Sequence, residues 1–176
     1  RSSDGAEDNG KVFVYKYINN QYVLSQQIVP SDPKDFQFFG VSLVLKENLL
    51  LIGCLNDSTQ SGFESGSIYS YSKNDTCWVF ERKFIPVPDS PNLTLGCSLA
   101  ANDSFVFAGT SASFSYNSPG KVYIYKIEEP LMELHQIIES GEDYWNDRFG
   151  INLGVGSDTL LVTALFDSVN NSYPGS

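Results

Sequence analysis

An all-β fold built from repeated four-stranded antiparallel sheets is what this sequence predicts, and three observations predict it. The first is an internal repeat. Aligned on Gly10, Gly66 and Gly120, the chain divides into units of 56, 54 and 55 residues, the last counted to Gly175, and self-similarity at such a period marks a repeat architecture. The second is that each unit holds four short segments rich in Val, Ile, Leu, Phe and Tyr and bounded by turn residues, the signature of strands. The third is that no window keeps a helical period. IEEPLMELHQII comes nearest, and Pro130 and its alignment with two strand-like segments argue against a helix.

In the first complete set the segments cover residues 39–45, 49–54, 66–71 and 76–84, termed A, B, C and D. A and B are joined by the short links KEN, AND and GSD, which predicts a hairpin. Both are apolar on each face, so both faces are covered; C and D carry more polar positions and belong further out. C opens on the glycine of the unit, in GKVFVY, GSIYSY and GKVYIY, and D carries a large side chain at Tyr22, Trp78 and Met132. A opens on Phe39-Gly40, Leu95-Gly96 and Phe149-Gly150, and B ends on Gly53, Gly109 and, departing from the pattern, Thr163. Glycine in a strand suits a site where another backbone comes close. The large residue before it fills the wedge between sheets, where burial is worth roughly 2–3 kcal/mol. Inner strands crowding a common axis, four per unit, specify the blade of a β-propeller. The chain reads as a propeller segment of about three four-stranded antiparallel blades, part of a larger ring, with repeat units 10–65, 66–119 and 120–174. Closure takes roughly 4–8 blades. The sequence starts and stops at the same phase, between B and C. It is therefore expected to be a fragment of a longer propeller, or to be completed by other copies, one supplying C and D to another's A and B.

The Phe-Gly pairs and the GKVYIY-type strands resemble the FG-GAP repeat family, known best from integrin α-subunit heads. The family's second motif is degenerate, reading IGC (52–54), AGT (108–110) and VTA (162–164). The resemblance covers nearly the whole chain and implies a propeller. The family's calcium loop lies between A and B, and KEN, AND and GSD are too short to supply the roughly 6–8 oxygens that calcium takes. The sequence looks like a calcium-free variant of the repeat, with no cofactor expected and no integrin ligand residue matched.

Composition narrows the function classes. Acids outnumber bases 21 to 11, for a net charge of −10, which opposes nucleic acid or an anionic membrane as partner. No apolar run approaches the roughly 20 residues that span a bilayer. RSSDGAEDNG has no apolar signal-peptide core, so a mature or internal piece of a larger protein is expected. Asn-X-Ser/Thr begins at Asn56, Asn74, Asn92, Asn102 and Asn170, against roughly two sequons expected by chance. All five fall in predicted loops. They point to N-linked glycans and an extracellular setting, secreted or in the ectodomain of a cell-surface protein.

Cys54, Cys77 and Cys97 are an odd number and match no zinc spacing. Cys54 ends B and Cys97 begins the next A on the same face, with side chains on opposite faces of their own sheets. A Cys54–Cys97 bridge between neighbouring sheets is expected, Cys77 being too far away; the alternative is small buried thiols. Loops B–C and D–A share one face of a propeller. There Asp32, Asp35, Asp89, Glu142, Asp143, Asp147 and Asp167, with Asp57, Glu64 and Glu139, gather an acidic face. It could bind a basic partner or a divalent cation, or be a solvated rim. Catalytic constellations are scarce. His135 is the one histidine, with no nucleophile motif beside it, and GVGSDT (154–159) lacks the Lys and helix of a phosphate loop. Glu142 and Asp143 are adjacent in a loop, with nothing to separate their pKa values. The expected function is a non-catalytic extracellular glycoprotein module for protein–protein interaction or adhesion. The alternative is a building block of an extracellular fibre, coat or appendage; part of a propeller enzyme ranks third.

Overall fold

The computed structural model describes residues 9–58, 64–86, 92–110, 120–128, 131–140 and 148–165. Every regular element among them is a strand. β1 (Val12–Ile18) and β2 (Gln21–Ile28) form a two-stranded sheet. β3 (Phe39–Leu45), β4 (Leu49–Cys54), β5 (Ser67–Lys73) and β6 (Trp78–Phe84) follow as a four-stranded sheet in chain order. β7 (Ser98–Ala101), β8 (Phe105–Gly109), β9 (Lys121–Glu128) and β10 (Leu131–Glu139) form a second, and β11 (Leu153–Val155) pairs with β12 (Leu160–Val162). All pairings between these strands are antiparallel, and an isolated parallel bridge joins Gly66 to Leu95. Segments A to D of the sequence are β3 to β6, and β1–β2 and β11–β12 are a C–D pair and an A–B pair.

The turns follow local chemistry. Asn19 and Asn20 link β1 to β2 with φ of 51° and 65°, the two-residue hairpin geometry that asparagine tolerates. The three A–B links close on equivalent bonds: Lys46 N to Leu49 O at 2.8 Å, Asn102 N to Phe105 O at 3.0 Å and Gly156 N to Thr159 O at 2.8 Å. Each C–D pair also carries a register shift at the same repeat position, which leaves Ser25, Glu81 and His135 without a facing partner. A bulge repeated three times is a feature of the fold and increases strand twist. It also gives His135 a place in the architecture, beside Phe105 with ring centres 5.3 Å apart.

The sheets stack, and the core lies in the gaps. Val12 and Ile28 pack with Phe39, Leu50, Ile52, Tyr69 and Tyr71 in the first gap. Leu51 and Ile68 pack with Leu95, Val106, Ala108 and Tyr125 in the second, and Phe107, Val122 and Ile124 with Phe149, Leu153 and Leu160 in the third. Successive residues of β4 thus enter opposite gaps, which is why the inner strands are apolar on both faces. The Gly96 and Gly150 carbonyls each seat in a slot of the preceding sheet. A Cβ on Gly53 would overlap the Gly96 carbonyl oxygen and lie 3.1 Å from its carbon, and one on Gly109 would meet Gly150 in the same way at 2.9 Å. A serine closes each slot: Ser42 Oγ donates to Gly96 O at 2.6 Å and Ser98 Oγ to Gly150 O at 2.5 Å.

Candidate functional site

Between β2 and β3 the chain carries Asp32, Lys34 and Gln37 to one end of the first four-stranded sheet. Asp57 arrives there from the β4–β5 connection, Ser67 and Tyr69 from β5, and Lys83 from β6. Asp57 is fully buried, and each of its oxygens has two donors. Oδ1 accepts from Lys34 Nζ at 2.8 Å and Gln37 Nε2 at 3.2 Å; Oδ2 accepts from Ser67 Oγ at 2.6 Å and from Lys83 Nζ. Lys83 Nζ also donates to Asp32 Oδ2 at 2.6 Å, and Tyr69 OH donates to Asp32 Oδ1. The Gln37 amide further donates to Asp32 O at 3.3 Å and to Tyr69 OH at 3.2 Å.

Burial alone would raise the Asp57 carboxyl, but the bonds from Lys34, Lys83 and Ser67 outweigh it and hold it below the ordinary carboxylate range. Burial works against the Lys83 ammonium, and its bonds to Asp32 and Asp57 raise it regardless. The Tyr69 phenol is pushed far up by burial and then by Asp32. Two carboxylates and two ammoniums therefore satisfy one another, and the cluster fixes loops in place. Among the described residues the second sheet holds no such cluster. Tyr123 holds Tyr69's place in the second sheet, but its strand partner is Ile137 where Tyr69 faces Lys83, and buried Leu93 stands where Gln37 does.

The described residues reach only part of the acidic face expected from the sequence. Asp57 lies inside the protein and Asp32 is paired, because two lysines arrive from elements distant in the chain. Asp35 is exposed. Asp89, Glu142, Asp143, Asp147 and Asp167 fall outside the described residues. Among those described, no three His, Cys, Asp or Glu side chains group as metal ligands.

What the cluster holds is a short aromatic loop, and this the sequence reading missed. Phe36 and Phe38 flank buried Gln37, with φ of 56° and 52° and exposures of 51% and 45%. The same places in the next unit are Asn92 and Thr94, at 62° and 54°, and Arg148 matches Phe38 at 54°. The left-handed backbone therefore belongs to the fold. Asparagine adopts it readily, whereas a bulky residue there costs about 1 kcal/mol or more. The signal available in the sequence was the surplus of phenylalanine in FQFFG.

The expected Cys54–Cys97 bridge is not formed; all three cysteines are free. Cys54 sits in the first gap with its thiol on Gln37 O at 3.3 Å, while Cys97 Sγ faces Gly150 O at 3.9 Å, toward the opposite end of the stack. Burial pushes the Cys54 thiol far up and the Cys97 thiol up to about 12. Thiol reagents at neutral pH should label Cys77 in the folded protein faster than Cys97 and reach buried Cys54 only on unfolding, as peptide mass spectrometry would report. Equal labelling of all three would refute this packing.

Asn56, Asn74, Asn92 and Asn102 lie in connections between strands, and Asn170 falls outside the described residues. Asn74 Oδ1 accepts from Thr76 N at 3.2 Å and Asn102 Oδ1 from Ser104 N at 3.0 Å, so both sequons form Asx turns. No helix among the described residues is long and apolar enough to cross a membrane. No protein-family model matches the chain, and no curated protein matches it.

Proposed function

We propose that this chain is a segment of an FG-GAP-type β-propeller, carried by an extracellular N-glycosylated protein, which binds a protein ligand without catalysis. The observation that carries this reading is the pair Phe36 and Phe38: two large apolar side chains on costly backbone, half exposed, fixed by an ionic cluster around buried Asp57. Rigid exposed aromatics of this kind are anchors at protein interfaces, and rigidity lowers the entropic cost of binding. Exposed Asp35 between the cluster and Phe36 favours a ligand with a basic rim around an apolar pocket. Stacked sheets with equivalent Phe/Leu-Gly slots support the propeller, and the two Asx-turn sequons support glycosylation.

The chain secreted by eukaryotic cells should lose mass on glycan release, and cells should adhere to wells coated with it. The variant Phe36→Ser/Phe38→Ser should keep its thermal midpoint, because neither side chain is buried, while adhesion falls about tenfold or more. Adhesion unchanged in that variant, or absent in the parent, rejects the assignment.

A further inference from the structure

Toward the outer strands, the gaps between neighbouring sheets are sealed differently. In the first gap Gln26 of β2 clamps the backbone of Trp78 on β6. Its Nε2 donates to Trp78 O at 2.9 Å, and its Oε1 accepts from Trp78 N at 2.8 Å. Lys16 Nζ adds a bond to Thr76 O at 2.9 Å. In the second gap Ser72 and Arg82 hold the places of Lys16 and Gln26, and Met132 holds that of Trp78. Ser72 Oγ donates to Glu81 instead. Arg82 has no carboxylate partner among the described residues, and its guanidinium lies 5.9 Å from the centre of the Phe84 ring. This gap opens into a cleft of about 610 Å³, with Leu49, Phe84, Ile127 and Met132 as its apolar lining and Glu81 and Arg82 beside them. Room comes from Ser70 and Ser72 of β5, where β9 carries Ile124 and Lys126 and β1 carries Val14 and Lys16. Both walls belong to complete four-stranded sheets.

We propose that this cleft binds the C-terminal residue of a partner polypeptide, one with a large apolar side chain. Three groups of such a residue find partners there. Its peptide group takes the part that the Gln26 carboxamide plays in the first gap. Ile127 N donates away from β10, to Ser104 O at 2.8 Å, as Lys73 N does to Asn48 O at 3.3 Å. Met132 and Trp78 face these residues across the ladder, so both turn their own N–H and C=O outward. The apolar side chain lies on Leu49, Phe84 and Ile127, where burial favours it. The carboxylate meets the Arg82 guanidinium, whose planar fork matches it in bidentate fashion. Arg82 stands where Gln26 reaches the neighbouring backbone, so peptide group and carboxylate must sit side by side, as they do at a chain end. The register shift between Ser70 and Tyr71 brings Glu81 to the same cleft as Arg82, and its charge opposes a second carboxylate on the ligand. The volume is that of a site for a small ligand or a short chain end.

The probe is the peptide acetyl-Gly-Gly-Leu with a free carboxylate, titrated into protein labelled with carbon-13 in the methionine methyl. Met132 is the one methionine of this sequence, so a single methyl signal reports the cleft. The free acid should shift that signal saturably. The same peptide as its C-terminal amide should bind about tenfold or more weakly, having no carboxylate for Arg82. Arg82→Gln, which places the clamping residue of the first gap at an exposed position, should keep the thermal midpoint and weaken the free acid by about the same factor. Arg82→Lys should lose less, because it keeps the charge without the fork. Equal binding of acid and amide, undiminished binding by Arg82→Gln, or no saturable shift up to about 10 mM peptide overturns the proposal. The cleft lies apart from Phe36 and Phe38, so the adhesion result for their double variant leaves this one unchanged.

Discussion

A Gly109→Ala protein should lose about 3 kcal/mol of stability, since overpacking a tight site typically costs 1–3 kcal/mol and occasionally more. In a chain of this length that is a fall of roughly 6–12 °C in melting temperature. The added methyl would overlap the Gly150 carbonyl oxygen and press on Ser98 Oγ, the hydroxyl that holds that carbonyl. Neither neighbour can retreat easily. The oxygen is backbone, fixed by the left-handed turn at Gly150 with φ of 88°, and the serine lies in a strand. Gly154→Ala is the control, because its Cβ would lie 3.7 Å from the Leu161 Cβ in ordinary contact, and it should stay within about 0.5 kcal/mol of the parent. Urea midpoints of the two variants check the pair. If both shift equally, the slot between sheets is not the constraint described above.

Asp57→Ala should cost up to about 3 kcal/mol, because Ser67, Gln37 and the partly exposed ammoniums of Lys34 and Lys83 lose a buried carboxylate that accepts from all four. Lys34 and Lys83 would then share Asp32 alone. The pH dependence carries a definite sign. The folded-state carboxyl of Asp57 titrates below its ordinary value of 3.8, so its stabilisation is full above that pH and is lost as pH falls toward the folded value. Lys83 titrates above its ordinary 10.5, so its contribution is full below that pH and is lost as pH rises past it. Denaturant titrations from pH 5 down to pH 2 should show the parent losing more stability than Asp57→Ala, with the two curves converging at the acid end. Parallel curves would mean that Asp57 carries no such linkage. Because Phe36 and Phe38 are held by this cluster, the adhesion we propose should weaken over the same acid range.

Much of the fold was legible because it rests on local and periodic features. Gly53 and Phe39-Gly40 recur with their equivalents at fixed spacing, and short polar links punctuate apolar segments. The strands expected at 39–45 and 49–54 are β3 and β4 as found. The bulges at Ser25, Glu81 and His135 were hidden. A one-residue register shift depends on twist accumulated between paired strands and leaves only a faint break in alternation. The cysteine pairing failed for a related reason. Cys54 ends β4 and Cys97 directly precedes β7, but side-chain direction decides bridging, and Cys54 turns into the first gap while Cys97 faces Gly150.

From its residues alone the chain specifies an all-β stack of repeated antiparallel strands, because periodicity and turn chemistry act over a few residues and repeat without outside help. Charge placement needed the tertiary structure. Asp32, Lys34, Asp57 and Lys83 read as scattered loop and strand charges until the fold brings residues up to 51 positions apart into hydrogen-bonding distance. The physical reason is range: a strand is dictated by its neighbours in sequence, whereas the burial and ionisation of Asp57 depend on partners that only the assembled sheet supplies.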